Sequence, residues 1–237
     1  MEYRYTAVVL GKKDIGEADR LYTLYTKEEG KVTVKAPGSR KPGAKLAAHL
    51  ETGMMSGVSV MRSRGMGRIT SALCEEFFFT GSIHFPIANE CMRILSGVSR
   101  YTVEYDVNER VFDLLVSFLK NTKSMNSGKE DHFFLVANGF LFQFLSHIGL
   151  SFEVFRCVLC REKLEGETFL FDIREGGVIC RNCSLQRSQG LTIDQDTVKF
   201  LRLFGNNSLE NLQKIRVSQK QNDRVRTLLN TCFLHLE

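Results

Sequence analysis

Two closely spaced cysteine pairs constrain the fold of this chain more than any other feature of its sequence. Two residues separate Cys157 from Cys160, two separate Cys180 from Cys183, and nineteen lie between the pairs. Two C-x2-C pairs at this separation are typical of a four-thiolate metal site, because each tight turn directs two sulfurs at one point. Four thiolates complete a tetrahedral shell with no open position, so we predict one structural Zn²⁺ held by these four cysteines.

The segment between the pairs is suited to bring the two turns together. Residues 169–172, Phe-Leu-Phe-Asp, and residues 176–179, Gly-Gly-Val-Ile, predict the two arms of a short hairpin. The alternatives are two disulfides or four free thiols. Disulfides require an oxidising compartment, and the N-terminal residues resemble neither a signal peptide nor a transit sequence. We therefore expect a reducing, cytoplasmic location, and no apolar run is long enough to predict a membrane span.

The first 80 residues predict a small β-barrel. Five segments are rich in β-branched and aromatic residues or alternate between polar and apolar residues, namely 3–10, 21–26, 31–35, 51–62 and 66–75. Residues 11–20 are polar and predict a loop, and residues 37–45 contain two prolines and predict a mobile, basic loop. Five short strands with one long loop favour a barrel of the OB type. An SH3-like barrel is the close alternative.

The rest of the chain changes to a helical period. Helices are predicted over residues 86–101, 106–121 and 130–148, the last apolar on nearly all sides and so buried. After the cysteines, Thr192 or Asp194, Ser208 and Ser218 are suited to open three further helices. The predicted fold class is α+β, with a barrel domain at 1–80, a helical domain at 81–155, a four-cysteine zinc-ribbon-like module at 156–186 inserted in it, and C-terminal helices at 187–237 that complete it.

The positive charge is concentrated in the predicted barrel. The chain has a formal net charge of +5, and residues 1–80 hold 13 Lys and Arg against 9 Asp and Glu. A local excess of cations suggests a polyanionic partner, although a merely solvated basic surface would have the same composition. The candidate DNA-binding residues are Lys12, Lys13, Arg20, Lys31, Lys35, Arg40, Lys41, Lys45, Arg62, Arg64 and Arg68.

Tyrosines lie among these cations, at positions 3, 5, 22 and 25. Aromatic faces beside cations can stack on unpaired bases. Successive side chains on a strand point to opposite faces, however, so packing in the barrel core is the alternative for each of them.

Motifs of common enzymes are missing. The chain contains no phosphate-binding loop, no zinc-protease helix and no dinucleotide fingerprint, and neither cysteine pair follows the proline that a nucleobase deaminase needs. We therefore expect a binding protein and no catalytic residues.

Several short runs together resemble the RecO family of bacterial recombination-mediator and DNA-repair proteins. Besides the cysteines and Gly176-Gly177, the matching runs are 7–10, 16–21, 23–26, 29–31, 35–36, 38–41 and 142–149. The resemblance covers nearly the whole chain, and the element Glu17-Ala18-Asp19 with the four cysteines is its most specific part. Pro37 departs from it, because a basic residue is expected before Gly38.

The resemblance implies an OB fold, a helical domain and a zinc module that supports folding. It implies binding to single- and double-stranded DNA, annealing of complementary strands and help in loading the RecA recombinase onto DNA coated by single-strand-binding protein. The implied partners are RecR and the C-terminal tail of single-strand-binding protein. The alternative function is a zinc-ribbon adaptor, associated with transcription, that acts through protein contacts without annealing DNA.

Overall fold

The computed structural model describes residues 1–63, 65–79, 84–123, 130–187 and 189–235. Three predictions from the sequence lie wholly or partly outside the described residues: the candidate DNA contact Arg64, the apolar residue Leu236 of the last predicted helix, and a loop over residues 122–129. Of that loop, Thr122 and Lys123 are described, and they belong to a helix instead. The chain divides into two compact units, Met1–Ser127 and Gly128–Glu237. The first two helices group with the barrel. The predicted α+β class is confirmed.

Unit 1 contains a closed five-stranded barrel. Its strands are β1 Glu2–Ile15, β2 Asp19–Thr26, β3 Gly30–Ala36, β4 Met54–Met61 and β5 Gly67–Phe77. The order around the barrel is β1-β2-β3-β5-β4, and β1 pairs with β4 to close it. The parallel pair is β3 with β5, where Val34 lies opposite Gly67 and Lys35 opposite Arg68. This is the five-stranded Greek-key arrangement of the OB type, which decides against the SH3-like alternative.

The barrel core follows the alternation of the strands. In β3 the buried residues Val32 and Val34 alternate with half-buried Lys31, Thr33 and Lys35, as the sequence predicts. Inward residues of every strand form one apolar cluster. Burial of apolar surface of this kind is the main source of barrel stability.

The predicted loop over residues 11–20 is wrong, because most of it is strand. Residues 12–15 of β1 pair with residues 19–22 of β2, after a register shift between Val9 and Gly11. The connection shrinks to residues 16–18, with Gly16 at φ +60°. Cross-strand hydrogen bonding stabilises this polar hairpin, and a polar sequence does not exclude it.

Besides the short 3₁₀ helix Lys45–His49, the described part of unit 1 contains two α-helices, α1 Phe85–Tyr101 and α2 Glu109–Lys123. The cap of α2 is Asn108, whose Oδ1 accepts a hydrogen bond from the amide of Val111 at 3.2 Å, so the helix starts later than the predicted residue 106. The segment between the helices lies on β3. The amide of Tyr105 donates to the carbonyl of Lys31 at 2.9 Å. A Cβ on Gly30 would collide with the carbonyl of Asp106, so only glycine permits this approach.

Unit 2 is built around α3 Glu130–His147, the predicted buried helix. Around it lie α5 Gln195–Asn206, α6 Leu209–Leu212 and α7 Gln219–Leu234. The two polar residues that interrupt its apolar run hold its neighbours: Asn138 donates to the carbonyl of Asn222 at 3.2 Å, and Gln143 donates to that of Phe204 at 2.7 Å. These bonds satisfy the side-chain amides of buried Asn138 and half-buried Gln143, which would otherwise lose hydrogen bonds to water on folding.

A three-stranded sheet carries the cysteine segment. The predicted hairpin is confirmed as β6 Thr168–Asp172 and β7 Gly177–Ile179, and α4 Arg181–Ser184 follows it. A third strand, β8 Leu191–Asp194, pairs with the other edge of β6 and has no counterpart in the predicted elements. No helix within the described part of the chain has the length and apolar character to cross a membrane.

Candidate metal centre and nucleic-acid surface

The sheet brings the two cysteine turns to one place. Cys180 comes directly after β7 and Cys183 lies in α4. The turn that holds Cys157 and Cys160 lies along the edge of β7. There the amide of Val158 donates a hydrogen bond to the carbonyl of Val178 at 3.0 Å. Gly177 makes this approach possible, because a side chain there would collide with the carbonyl of Glu153.

The four sulfurs form a compact cluster. The Sγ atoms of Cys157, Cys160, Cys180 and Cys183 all lie within 4.8 Å of one another. A tetrahedral metal with bonds of about 2.3 Å to sulfur would place its ligands about 3.8 Å apart. The Sγ atoms of Cys160 and Cys180 are 3.8 Å apart. The cluster therefore fits one metal ion in an all-sulfur shell.

Hydrogen bonds from backbone amides favour the thiolate form of Cys157 in this cluster. Burial opposes ionisation of Cys157, but hydrogen bonds from the amides of Cys160 and Cys180 outweigh it and lower the pKa of the Cys157 thiol to about 6. The pKa of Cys183 is raised to about 12, first because its thiol donates to Cys180 and then to Cys160. Four adjacent thiolates repel one another without a cation. A metal ion would remove that repulsion.

The first turn includes a strained residue. Arg161, directly after Cys160, has φ +64°, a left-handed conformation that is uncommon for a residue with a side chain. Its amide donates to the carbonyl of Cys157 at 2.9 Å, and the amide of Cys157 donates to the carbonyl of Glu162, also at 2.9 Å. The closed turn thus imposes the conformation of Arg161.

The basic loop after β3 is attached to the β1–β2 turn. We call these two segments, residues 12–20 and 35–45, the basic end of the barrel. The amide of Arg40 donates to the carbonyl of Ala18 at 2.9 Å, and its guanidinium donates to that of Gly16 at 2.9 Å. The amide of Gly38 donates to Asp19 at 2.7 Å. The loop is therefore held by hydrogen bonds, in contrast to the predicted mobile loop.

Two carboxylates organise the cations of the basic end. Asp14 lies 2.7 Å from Arg20 and 3.2 Å from Arg40, and Asp19 lies 2.8 Å from Lys35. The hydrogen bond from Arg20 lowers the pKa of the Asp14 carboxyl, and the bond from Lys35 lowers that of Asp19. Both carboxylates are therefore charged at neutral pH and offset part of the positive charge.

The remaining candidate cations at this end vary in their surroundings. Lys12 forms an ion pair with Glu51. Lys13, Lys41 and Lys45 are exposed, and so is Arg68 on the strand beside Lys35. The basic end, residues 12–20 and 35–45, carries seven Lys and Arg against three Asp and Glu, and Glu51, the partner of Lys12, adds a fourth acid. The basic end keeps a positive charge after its internal ion pairs are counted.

Two of the candidate DNA contacts lie elsewhere. The ammonium of Lys31 donates to the carbonyl of Ser99 at 2.7 Å and to that of Thr102, at the C-terminus of α1, and burial lowers its pKa. Lys31 therefore binds α1 to the barrel. Arg62 lies 3.0 Å from the carboxylate of Glu29 and over the ring of Tyr3. Neither side chain joins the basic end.

Three of the four candidate stacking tyrosines belong to the core. Tyr5, Tyr22 and Tyr25 are each at most 4% exposed, and only Tyr3 is half-buried. Among the described tyrosines of unit 1, the exposed one is Tyr105, at 48%. The sequence offers no pattern around Tyr105. It also did not predict that Asp14 and Asp19 pair with cations of the basic end, because those partners are brought close only by the fold.

Family models match both parts of the chain. The model described as recombination protein O N terminal matches residues 1–78, and that described as recombination protein O C terminal matches residues 93–236. The chain belongs to the RecO family. The resemblance of its short runs and its cysteines to RecO is thereby confirmed.

Curated RecO relatives span most of the chain. It is 26% identical over 220 residues to the DNA repair protein RecO of Syntrophomonas wolfei, covering 93% of this chain and 85% of that protein. It is 28% identical over 225 residues to RecO of Bacillus pumilus, covering 94% and 84%. With RecO of Bacillus subtilis it shares 25% identity over 236 residues, covering 95% and 86%. Membership in RecO supports a role in DNA repair.

Proposed function

We propose that this protein is a non-enzymatic DNA-binding recombination mediator. It anneals complementary single strands and assists the loading of RecA on DNA coated by single-strand-binding protein. The observation that carries this proposal is the basic end of an OB-type barrel in a chain of the RecO family. Barrels of this type use their strand faces and loops to bind oligonucleotides.

The physical basis for annealing is charge compensation. Two DNA strands repel each other through their phosphates, and a cationic surface lowers this repulsion by displacing counterions. Lys13 and Lys41 are exposed at the basic end, where they can contact phosphate oxygens. Arg40 is also exposed, although its guanidinium contacts Asp14 and the carbonyl of Gly16. Such contacts read no sequence, which suits a protein that must accept any pair of complementary strands.

The metal of the cysteine cluster is Zn²⁺ in this proposal, with a structural role. Soft thiolate ligands favour zinc, copper(I) or iron–sulfur clusters, and a closed shell of four thiolates from two turns is the common structural zinc site. The partners in this proposal are single- and double-stranded DNA, RecR and the C-terminal tail of single-strand-binding protein, with the cytoplasmic nucleoid as location. These partners are carried over from the RecO resemblance.

The test is a salt titration of binding to fluorescent single-stranded DNA, with Arg40→Ala/Lys41→Ala beside the native protein. The variant should bind more weakly, and the slope of log affinity against log salt should fall by about two, one for each lost phosphate contact. A fluorescence-transfer assay with complementary oligonucleotides should show slower annealing.

The matched control is Lys214→Ala/Arg216→Ala, which removes the same charges from exposed positions of unit 2. It should leave the slope unchanged. Equal slopes for the native protein and the Arg40/Lys41 variant would contradict a DNA surface at the basic end. Absence of DNA binding at moderate salt would overturn the proposal and favour the zinc-ribbon adaptor.

A further inference from the structure

A strained and exposed tyrosine lies outside the barrel strands, between α1 and α2. Tyr105 has φ +62°, which a bulky residue rarely adopts. Its amide donates to the carbonyl of Lys31, and the neighbouring residue Glu104 accepts a hydrogen bond from the hydroxyl of Thr33. The backbone contacts with β3 therefore impose the position of the ring. Strain of this kind often marks a residue that is held for a purpose other than packing.

The ring of Tyr105 is supported by a cation and by further aromatic rings. The guanidinium carbon of Arg62 lies 5.1 Å from the centroid of the Tyr105 ring and 4.5 Å from that of Tyr3. The rings of Tyr3 and Tyr5 stack with centroids 6.2 Å apart. Glu29 fixes this row, because it pairs with Arg62 and accepts a hydrogen bond from the Tyr5 hydroxyl at 2.9 Å. The contacts that hold the Tyr105 ring and Arg62 are therefore formed within the protein itself and do not depend on a ligand.

An open depression lies beside the ring. Its volume is about 600 Å³, and it is lined by Glu29, Arg62, Ser63, Gly65, Tyr105 and Val107. Apolar surface predominates in the lining, and the ring and Val107 are the large apolar groups among these described residues. The depression offers a flat aromatic face beside the guanidinium of Arg62.

Cations continue from this depression toward the basic end. Met61, which precedes Arg62, lies opposite Arg68 in the barrel, and Arg68 lies opposite Lys35. Phosphates of a strand that passes from the basic end toward the depression would meet Lys35 and Arg68 on the way. Positive charge along the backbone with an aromatic platform for a base is the usual combination in proteins that bind single strands.

We propose that Tyr105 is a stacking platform for one unpaired nucleobase of single-stranded DNA. This inference rests on the proposed DNA-binding function and adds to it a site that distinguishes single strands from duplexes. A base in a duplex has both faces covered by its neighbours, whereas an unpaired base can rotate onto the tyrosine ring. Arg62 also contacts the ring, and its cation strengthens the aromatic platform.

The test compares Tyr105→Ala and Tyr105→Phe with the native protein, on single-stranded and on double-stranded oligonucleotides of the same length. Tyr105→Ala should weaken single-strand binding about tenfold, the loss expected for one stacked base, and leave duplex binding unchanged. Tyr105→Phe should restore single-strand binding, because it keeps the aromatic face. A single strand that carries 2-aminopurine should show less quenching of that base by Tyr105→Ala than by the native protein.

The matched control is Phe155→Ala in unit 2. Phe155 is 49% exposed and has the guanidinium of Arg202 over its ring at 5.5 Å, so this change removes an equally exposed aromatic residue with an arginine contact. It should leave single-strand binding unchanged. If Tyr105→Ala binds single strands as the native protein does, the platform is refuted and the DNA-binding proposal stands. If the native protein binds no single-stranded DNA, both proposals fail.

Discussion

Asp14 holds two guanidinium groups that would otherwise face solvent. Its carboxylate pairs with Arg20 and Arg40, and the strong hydrogen bond from Arg20 lowers the pKa of Asp14, so the carboxylate stays charged at neutral pH. A carboxylate in this position occupies donors that a phosphate oxygen would use. A count of charges along the sequence finds the cations, but it cannot show that a carboxylate competes for them.

Replacement of Asp14 by Asn should therefore strengthen DNA binding. The change removes one negative charge and frees Arg20 and Arg40, so we expect the affinity for single-stranded DNA to rise by about threefold to tenfold and the salt slope to become steeper. Fluorescence anisotropy across a salt series measures both. Asp223→Asn, an exposed carboxylate of α7, makes the same charge change elsewhere and should have no effect. Weaker binding by Asp14→Asn would instead mean that Asp14 positions the arginines for DNA.

Single residues also set the limit of what the sequence could predict. The four cysteines were found because their spacing has a direct geometric meaning. Tyr105 was not predicted, because its exposure and its left-handed conformation depend on Lys31 and Arg62, which are remote in the sequence. Lys31 was assigned to DNA on charge alone, and only the fold shows that its ammonium is used by the carbonyls at the end of α1.

Helices were predicted more closely than strands. The starts of α5 and α7 follow from Asp194 and Ser218, because a cap satisfies amides within its own turn. Strands depend on partners that are distant in sequence. The missed strand β8 has four residues and ends on Asp194, which the pattern assigned to the following helix. The polar part of β1 was missed because only its pairing with β2 makes it a strand.

Asp194 connects β8, α5 and α7, so the ionisation of its carboxyl should affect how the stability of unit 2 depends on pH. Its carboxylate ends β8, accepts from the amide of Thr197 at 2.8 Å at the start of α5, and pairs with Arg224 of α7. Burial would raise the pKa of Asp194, but the hydrogen bonds from Thr197 outweigh it and lower the pKa below the ordinary 3.8. The charged form therefore stabilises unit 2 above pH 3.8, and this contribution is lost as the pH falls below that value.

Asp194→Ala should reduce the free energy of unfolding by about 1 kcal/mol at pH 7, the usual effect of losing a cap. Urea unfolding followed by circular dichroism measures the loss, repeated at steps down to pH 3. The difference from the native protein should shrink as the pH falls through the pKa of Asp194. Asp196→Ala, an exposed acid in the first turn of α5, serves as control. A difference that stays constant down to pH 3 would show that the charge of Asp194 contributes nothing.

At the scale of the whole molecule, two kinds of stabilisation support the two units. The barrel has an apolar cluster formed by all five strands. The cysteine segment has only short strands and the four-residue helix α4 around its sulfurs. A segment of this size gains much of its stability from a bound metal, because binding of the ion and folding occur together.

Cys160→Ser should abolish zinc binding and unfold the segment around the cysteines, with DNA binding by the barrel retained. Zinc measured by elemental analysis should fall from one ion to none per chain, and a chelator should produce the same loss of structure in the native protein. The control is Cys74→Ser, which replaces a half-buried thiol of the barrel. This variant should still bind one zinc ion per chain. A native protein that stays folded and equally heat-stable without metal would contradict a structural role for zinc.

The close approach of Gly30 to Asp106 sets the order in which unit 1 can be completed on the ribosome. The last barrel strand ends at Phe77, but the segment that lies on β3 extends to Asp106, which approaches Gly30. At about 5 to 20 residues per second, roughly 30 more residues take about 2 to 6 seconds to be made. During that interval Lys31 has no helix end to bind, and the edge of β3 beside Gly30 is open. The nascent barrel therefore passes through a stage in which this edge can pair with another chain.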